Sequence, residues 1–181
     1  MKDSSIHIHA IKNNIKGLKN NIKKGFSINS LGEYASTPLH YACREGNLET
    51  VRFLIENGAD VNLKNNYSTI YPIFDAITSL NNQKNYLLII QLLLENGADI
   101  KMVDSFGNTL LYHAIEQENI FLIKLLIQLG CDINHVSRHD KDSVLHYAYF
   151  QKNREIIRLL IENGADIKHL NIYNKTPQSY L

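Results

Sequence analysis

Five glycines, at positions 25, 58, 97, 130 and 164, recur with gaps of 33, 39, 33 and 34 residues. A fixed period of this size marks one supersecondary unit that cannot bury its apolar face alone, so copies stack and share a core. The cleanest copy is residues 36–62, STPLHYACREGNLETVRFLIENGADVN. In it Thr37 is a helix N-cap and Pro38 takes the first helical position, where its missing N–H costs nothing. A first helix over Thr37 to Glu45, a turn at Gly46-Asn47 and a second helix over Leu48 to Asn57 follow. Val51, Leu54 and Ile55 recur at helical spacing and face the stack. Gly58 ends the second helix in the left-handed conformation that suits glycine.

The other copies are read against this one. The fourth reads DSFGNTLLYHAI from Asp104 and the fifth DSVLHYAY from Asp142. The third departs, with YPIFDAI at 71–77 and five extra residues, Asn81 to Asn85, that lengthen the loop between its helices. A sixth begins KTPQSYL at Lys175. Two readings are open for residues 1–29. A degenerate terminal copy places Asn13-Asn14 at the inter-helix turn, whereas Ile8, Ile11, Ile15, Leu18 and Ile22 also fit one continuous amphipathic helix.

The period together with TPLHYA at Thr37 to Ala42 resembles the ankyrin repeat, and the resemblance covers nearly the whole chain. It implies an all-α ankyrin-repeat solenoid of about five helix pairs plus a partial sixth, with short finger loops between repeats. The expected domain is 1–181, with repeats at approximately 4–33, 34–66, 67–103, 104–136, 137–170 and 171–181. In this family a hydroxyl and an imidazole three residues apart are similar to a structural tie at the start of the first helix. Thr37 with His40, and Ser143 with His146, occupy those places. Asn62 and Asn134 follow the GAD-type turn, where bonding within the turn explains them and hydroxylation by a separate enzyme is a family possibility.

The resemblance further implies a non-enzymatic protein-binding module, an adaptor or inhibitor gripping its partner on the concave face of finger tips and first helices. Carried over position by position, the tips are Tyr34, Tyr67, Phe106 and Tyr173, with Arg138 and His139 on the remaining finger. Aromatic residues and arginine are enriched at interface hot spots. The first-helix positions are Tyr41, Arg44 and Glu45, then Asp75, then His113 and Glu116, then Tyr147 and Phe150. This surface varies between copies while the core positions do not. A second reading is a sensor of a nucleotide-like or anionic small ligand, held by Arg138, His139 and Tyr173.

Composition restricts the alternatives. Net charge is +1 with 20% charged residues, so no strong field draws the chain to nucleic acid. Residues 1–29 carry six lysines against Asp3, a basic end that suits an acidic partner or an anionic surface, or simply a solvated lysine face. The longest apolar run, Tyr86 to Leu94, is far short of the ~20 residues of a membrane span, and the first fourteen residues lack the apolar region of a signal peptide. The expectation is a monomer in the cytosol of its own cell, or of a host if delivered, binding neither nucleic acid nor stably to membrane.

No catalytic set emerges. Asp142, Ser143 and His146 superficially resemble hydrolase parts but fall on the structural-tie positions. His135, His139 and Asp140 cluster in one finger without a further ligand at zinc spacing, so no metal or cofactor is expected. Cys43 and Cys131 lie two copies apart, too far for a disulfide, and read as packed thiols.

Overall fold

A computed structural model describes residues 4–65, 70–78 and 85–180. Its helices come in pairs: α1 (Ser5–Ile11) with α2 (Ile15–Lys23), α3 (Pro38–Arg44) with α4 (Leu48–Glu56), and α5 (Pro72–Thr78) with α6 (Tyr86–Glu95). Then α7 (Leu110–Glu116) pairs with α8 (Ile120–Gln128), and α9 (Val144–Phe150) with α10 (Arg154–Glu162). Single 3-10 turns lie at Glu33–Ala35 and Pro177–Tyr180. Among the described residues β structure is limited to the isolated bridges Val103–Thr109 and Val136–Ser143 at two finger stems. The chain divides into two compact units, residues 1–99 and 100–181.

In the first unit α1 packs on α2 and α3, and α3 packs on α4 and α5. The core is the apolar stripe of each short helix: Ile6 and Leu18, Leu39, Val51 and Leu54, then Ile73, Phe74, Ile89, Ile90 and Leu93, all buried. Residues 5–23 form two helices rather than one. The chain reverses at Asn13, whose φ is 51°, and Asn14 caps α2 through its side-chain oxygen on the Gly17 N–H. The five-residue insertion falls largely on 79–84, outside the described residues.

The second unit repeats the plan with α7 against α8 and α9, and α9 against α10 and the Pro177–Tyr180 turn. Leu110, Leu111, Ile115, Leu122, Ile123 and Leu126 interlock with Val144, Leu145, Ile156 and Leu160. The C-terminal copy therefore contributes one turn of 3-10 helix.

The period glycines share a physical cause. Gly25, Gly58, Gly97, Gly130 and Gly164 all have φ between 83° and 92°, and nothing lies within 4 Å of a Cβ built on any of them. Backbone conformation alone, not crowding, demands glycine there. The Gly58 N–H bonds Ile55 O and the Ala59 N–H bonds Leu54 O, closing the helix end.

Candidate functional site

Three of the described first helices, α1, α3 and α9, begin with a device that fixes the loop above them. At α3 the Thr37 backbone N–H donates to His40 Nδ1 at 3.2 Å and the Thr37 hydroxyl lies 2.8 Å from the same nitrogen. A ring nitrogen that accepts a backbone N–H carries no proton, so Nε2 is the protonated one and donates to Ile70 O at 3.1 Å. His40 is fully buried, and burial pushes its pKa down to about 4, which keeps this neutral form. The same latch joins Ser143, His146 and Lys175 O, with Nε2 to oxygen at 3.0 Å. It recurs at α1, where Ser4 bonds His7 Nδ1 and His7 Nε2 reaches Ser30 O at 2.8 Å. Ser143 and His146 thus spend their polar atoms on architecture. The third and fourth copies have Phe74 and Tyr112 at the latch position instead.

A second device runs along the turns that follow the second helices. The Asn29 side chain bonds Gly58 O and the Asp60 N–H, Asn62 bonds Gly97 O and the Asp99 N–H, and Asn134 bonds Gly164 O and the Asp166 N–H. Asn62 and Asn134 therefore bond across to the next turn rather than only within their own. The third copy has Lys101 in this position. Beside it lies a cleft of about 320 Å³ lined by Lys101, Thr109, Cys131, Asp132 and His135.

Finger tips in the second unit are built on side-chain oxygens. Asp104 Oδ1 accepts the Phe106 and Asn108 N–H groups at 2.8 Å each, and Asn171 Oδ1 accepts those of Tyr173 and Lys175. The tips are stitched together by Arg138 N–H to Phe106 O and Ile172 N–H to Asp140 O. Gly107 sits at φ 84°, and a Cβ there would come within 2.8 Å of Arg138 Cβ, so this close approach needs glycine. The tips hold Phe106 and Tyr173 out, 62% and 61% exposed, with Arg138 and His139 exposed between them.

The first-helix face of this unit is aromatic. Tyr112 packs on Tyr147 with ring centroids 4.6 Å apart, Tyr147 stacks on Phe150 at 6.3 Å, and Phe150 meets Tyr180 edge-on at 6.4 Å. Phe150 is 65% exposed. Beside this ladder His113 lies between two carboxylates, Nε2 2.9 Å from Asp104 and Nδ1 3.2 Å from Glu116. Burial, then Tyr147, Glu116 and Asp104, push the Tyr112 phenol well up.

The family models decide what these devices belong to. A model described as ankyrin repeats (3 copies) matches residues 73–171, and a single ankyrin repeat model matches 36–66. The chain belongs to the ankyrin-repeat family. It is similar to ankyrin repeat protein FPV244 of fowlpox virus, 32% identical over 124 residues, which is 55% of this chain and 18% of that one. It is also similar to ankyrin repeat protein L371 of Acanthamoeba polyphaga mimivirus, 29% identical over 112 residues, 62% of this chain and 14% of that one. The chain thus spans under a fifth of the length of either relative. Among solved structures it is similar to a chain of the predatory endopeptidase Bd0816 from Bdellovibrio bacteriovorus in complex with immunity protein Bd3460. There the TM-score is 0.84 at 24% identity, covering 99% of this chain and 91% of that chain, a likeness of fold.

Against the ankyrin-repeat expectation, the structure buries two of the named face positions. Tyr41 is 7% exposed, its hydroxyl donates to Glu33 O, and the Arg44 guanidinium lies over its ring. Asp75 is 3% exposed and receives Nε and Nη2 of Arg44. These two positions are corrected from surface to interior, because in this unit the face residues bond one another. Arg44, Glu45, His113 and Tyr147 are half-buried, Glu116 is exposed, and Tyr34 is 54% exposed on its 3-10 turn. Tyr67 lies outside the described residues. Tyr112 and Tyr180 were not legible as part of the face: one fills the latch position and the other ends the partial copy.

Among the described residues no group of three or more His, Cys, Asp and Glu side chains is placed to hold a metal ion. No helix described is long and apolar enough to cross a membrane. Cys43 and Cys131 are buried free thiols, and burial pushes both pKa values up.

Proposed function

We propose that this chain is a non-enzymatic protein-binding module, an adaptor or inhibitor that takes its partner on the first-helix face and finger tips. The observation that carries this reading is the exposure of Phe106, Phe150 and Tyr173, each more than half open to solvent, beside latch and core positions that are closed. Apolar rings held out by a rigid scaffold are costly unless covered, and such rings dominate interface energetics. Arg138, His139 and Glu116 supply a polar rim, and Tyr34, Arg44 and Glu45 extend the same positions in the first unit. The module acts as a monomer in the cytosol, of its own cell or of a host. Replacing Phe106, Phe150 and Tyr173 together by Ala should abolish capture of the protein that co-purifies with the full chain, leaving helical circular dichroism unchanged. Undiminished capture by this folded variant would overturn the assignment.

The cleft beside Lys101 favours a second reading, a site for a small anion. It differs from the Arg138, His139 and Tyr173 constellation expected from sequence. A ligand bound only by the folded state raises the melting temperature, so a thermal-shift screen of phosphate, nucleotides and dicarboxylates tests it.

A further inference from the structure

The ladder on the first-helix face of residues 100–181 has a sign as well as a shape. Its four rings run across α7, α9 and the Pro177–Tyr180 turn, and carboxylates stand at both ends. Glu116 and Asp104 act on Tyr112, and Asp142 and Asp140 act on Tyr180, in each case helping burial to raise the phenol. An aromatic face carries negative charge density at its centre, so rings flanked by carboxylates form a surface complementary to a cation. Cations lie over three rings among the described residues, Lys19 over Phe53 at 5.8 Å being one of them. Lys175 places its ammonium 5.4 Å from the Tyr180 centroid, and Arg44 its guanidinium 5.6 Å from that of Tyr41. Among the described residues no cation of the chain lies over Phe150, the most exposed ring of the ladder. The Gln151 amide donates to the Glu116 backbone O at 3.3 Å, which sets the end of α7 that carries Glu116 against the end of α9 that carries Phe150, and Glu116 is exposed there.

We infer that this face binds an extended segment of a partner protein through an arginine side chain, its guanidinium stacked on Phe150 and directed at Glu116. The inference rests on the protein-binding reading above and specifies the partner's chemistry. Arginine is preferred over lysine because a planar guanidinium stacks on a ring while its N–H groups fork to a carboxylate. The walls also limit what else fits: an acidic segment would meet the exposed carboxylates of Glu116 and Asp140 with like charge. Basic groups at the tips, Arg138 and Lys141, stand at the edge of the same unit and place the acidic side chains of such a segment there.

The test uses the full chain and a fluorescein-labelled nonapeptide of three Gly-Ser-Arg triplets, followed by anisotropy at 50 and 150 mM salt. Two control peptides replace arginine by citrulline, which is isosteric and uncharged, or by glutamate. The expected result is saturable binding of the arginine peptide, at least tenfold weaker for citrulline and absent for glutamate. Phe150→Ala and Phe150→Leu should each weaken it about fivefold, the second keeping apolar bulk while removing the ring face. Glu116→Gln should weaken it more at 50 than at 150 mM salt. Glu162→Gln, on the outer surface of α10, should leave it unchanged. Equal binding of the arginine and citrulline peptides, or no loss in Phe150→Leu, overturns the inference. If the partner captured above is lost from the Phe106, Phe150 and Tyr173 variant while arginine and citrulline peptides bind alike, the face is right and the arginine chemistry wrong. Arginine discrimination that depends on Phe150, alongside partner capture unaffected by that variant, supports the inference and overturns the reading beneath it.

Discussion

Arg44 on α3 holds Asp75 on α5 through one carboxylate oxygen, with Nε at 3.0 Å and Nη2 at 2.8 Å from Oδ1, while Oδ2 is buried without a hydrogen-bond partner among the described residues. Burial outweighs the neighbouring guanidinium, so the Asp75 pKa is pushed up from 3.8 to about 6. The pair bridges two copies 31 residues apart, and its half-satisfied carboxylate makes the bridge sensitive to pH.

With a folded pKa above the unfolded one, Asp75 is protonated more readily in the native state between pH 3.8 and about 6. Its contribution to stability therefore falls as pH rises through that window, by about 3 kcal/mol at ~1.4 kcal/mol per unit. In Asp75→Asn this fall disappears. Urea titrations from pH 4 to 6 should show stability rising more steeply with pH in the variant than in the wild type; parallel slopes would contradict the assignment.

Removing the guanidinium exposes the same imbalance. Arg44→Met leaves a buried carboxylate uncompensated, raising the Asp75 pKa further. The loss at pH 7.5 should be about 2 kcal/mol, below the usual cost of breaking a buried pair because Arg44 is partly exposed, and clearly smaller at pH 5. Equal losses at the two pH values would argue that Arg44 contributes only packing.

His40 works in the opposite direction. Its folded pKa of about 4 lies below the ordinary 6.5, so the unfolded chain takes up the proton first. The latch contributes fully above pH 6.5 and is lost as pH falls toward 4, by about 3 kcal/mol. His40→Gln should flatten this part of the pH profile, and thermal melts at pH 4.5 and 7 measure it.

Gly164→Ala places a Cβ in open space but at φ 92°. The expected cost is about 1–2 kcal/mol from backbone conformation alone, with a smaller cost for Gly164→Asn, which tolerates this region better. Chemical denaturation distinguishes the two; a neutral alanine would show that this helix end relaxes.

Asn134→Ala removes bonds to Gly164 O at 3.1 Å and the Asp166 N–H at 2.8 Å, for an expected loss of about 1–2 kcal/mol. The converse substitution is Lys101→Asn, which restores the turn-bridging asparagine beside the cleft. It should raise the melting temperature and abolish any thermal shift produced there by a small anion.

From Thr37 onward the sequence determined the helix pairs, their caps and the left-handed glycines because each depends on residues within one turn of one another. For residues 1–29 it left one helix or two open, and the reversal at Asn13 decided. Thr37 and His40 are three apart, and so are Ser143 and His146, so helical spacing alone brings each pair together. The hydrogen bonds from their Nε2 atoms to Ile70 and Lys175 follow from the period once copies stack. Tertiary structure decided which variable residues remain outside. Tyr41 and Asp75 are polar enough to read as surface, yet Arg44 reaches across from the preceding copy and turns the Asp75 carboxylate inward. Tyr112 looks like a latch substitute and Tyr180 like a chain end, yet packing of α7, α9 and the last turn lines them up with Tyr147 and Phe150. Those partners lie roughly one period apart, and a single chain's spacing does not state which side chain of one copy will meet which of the next.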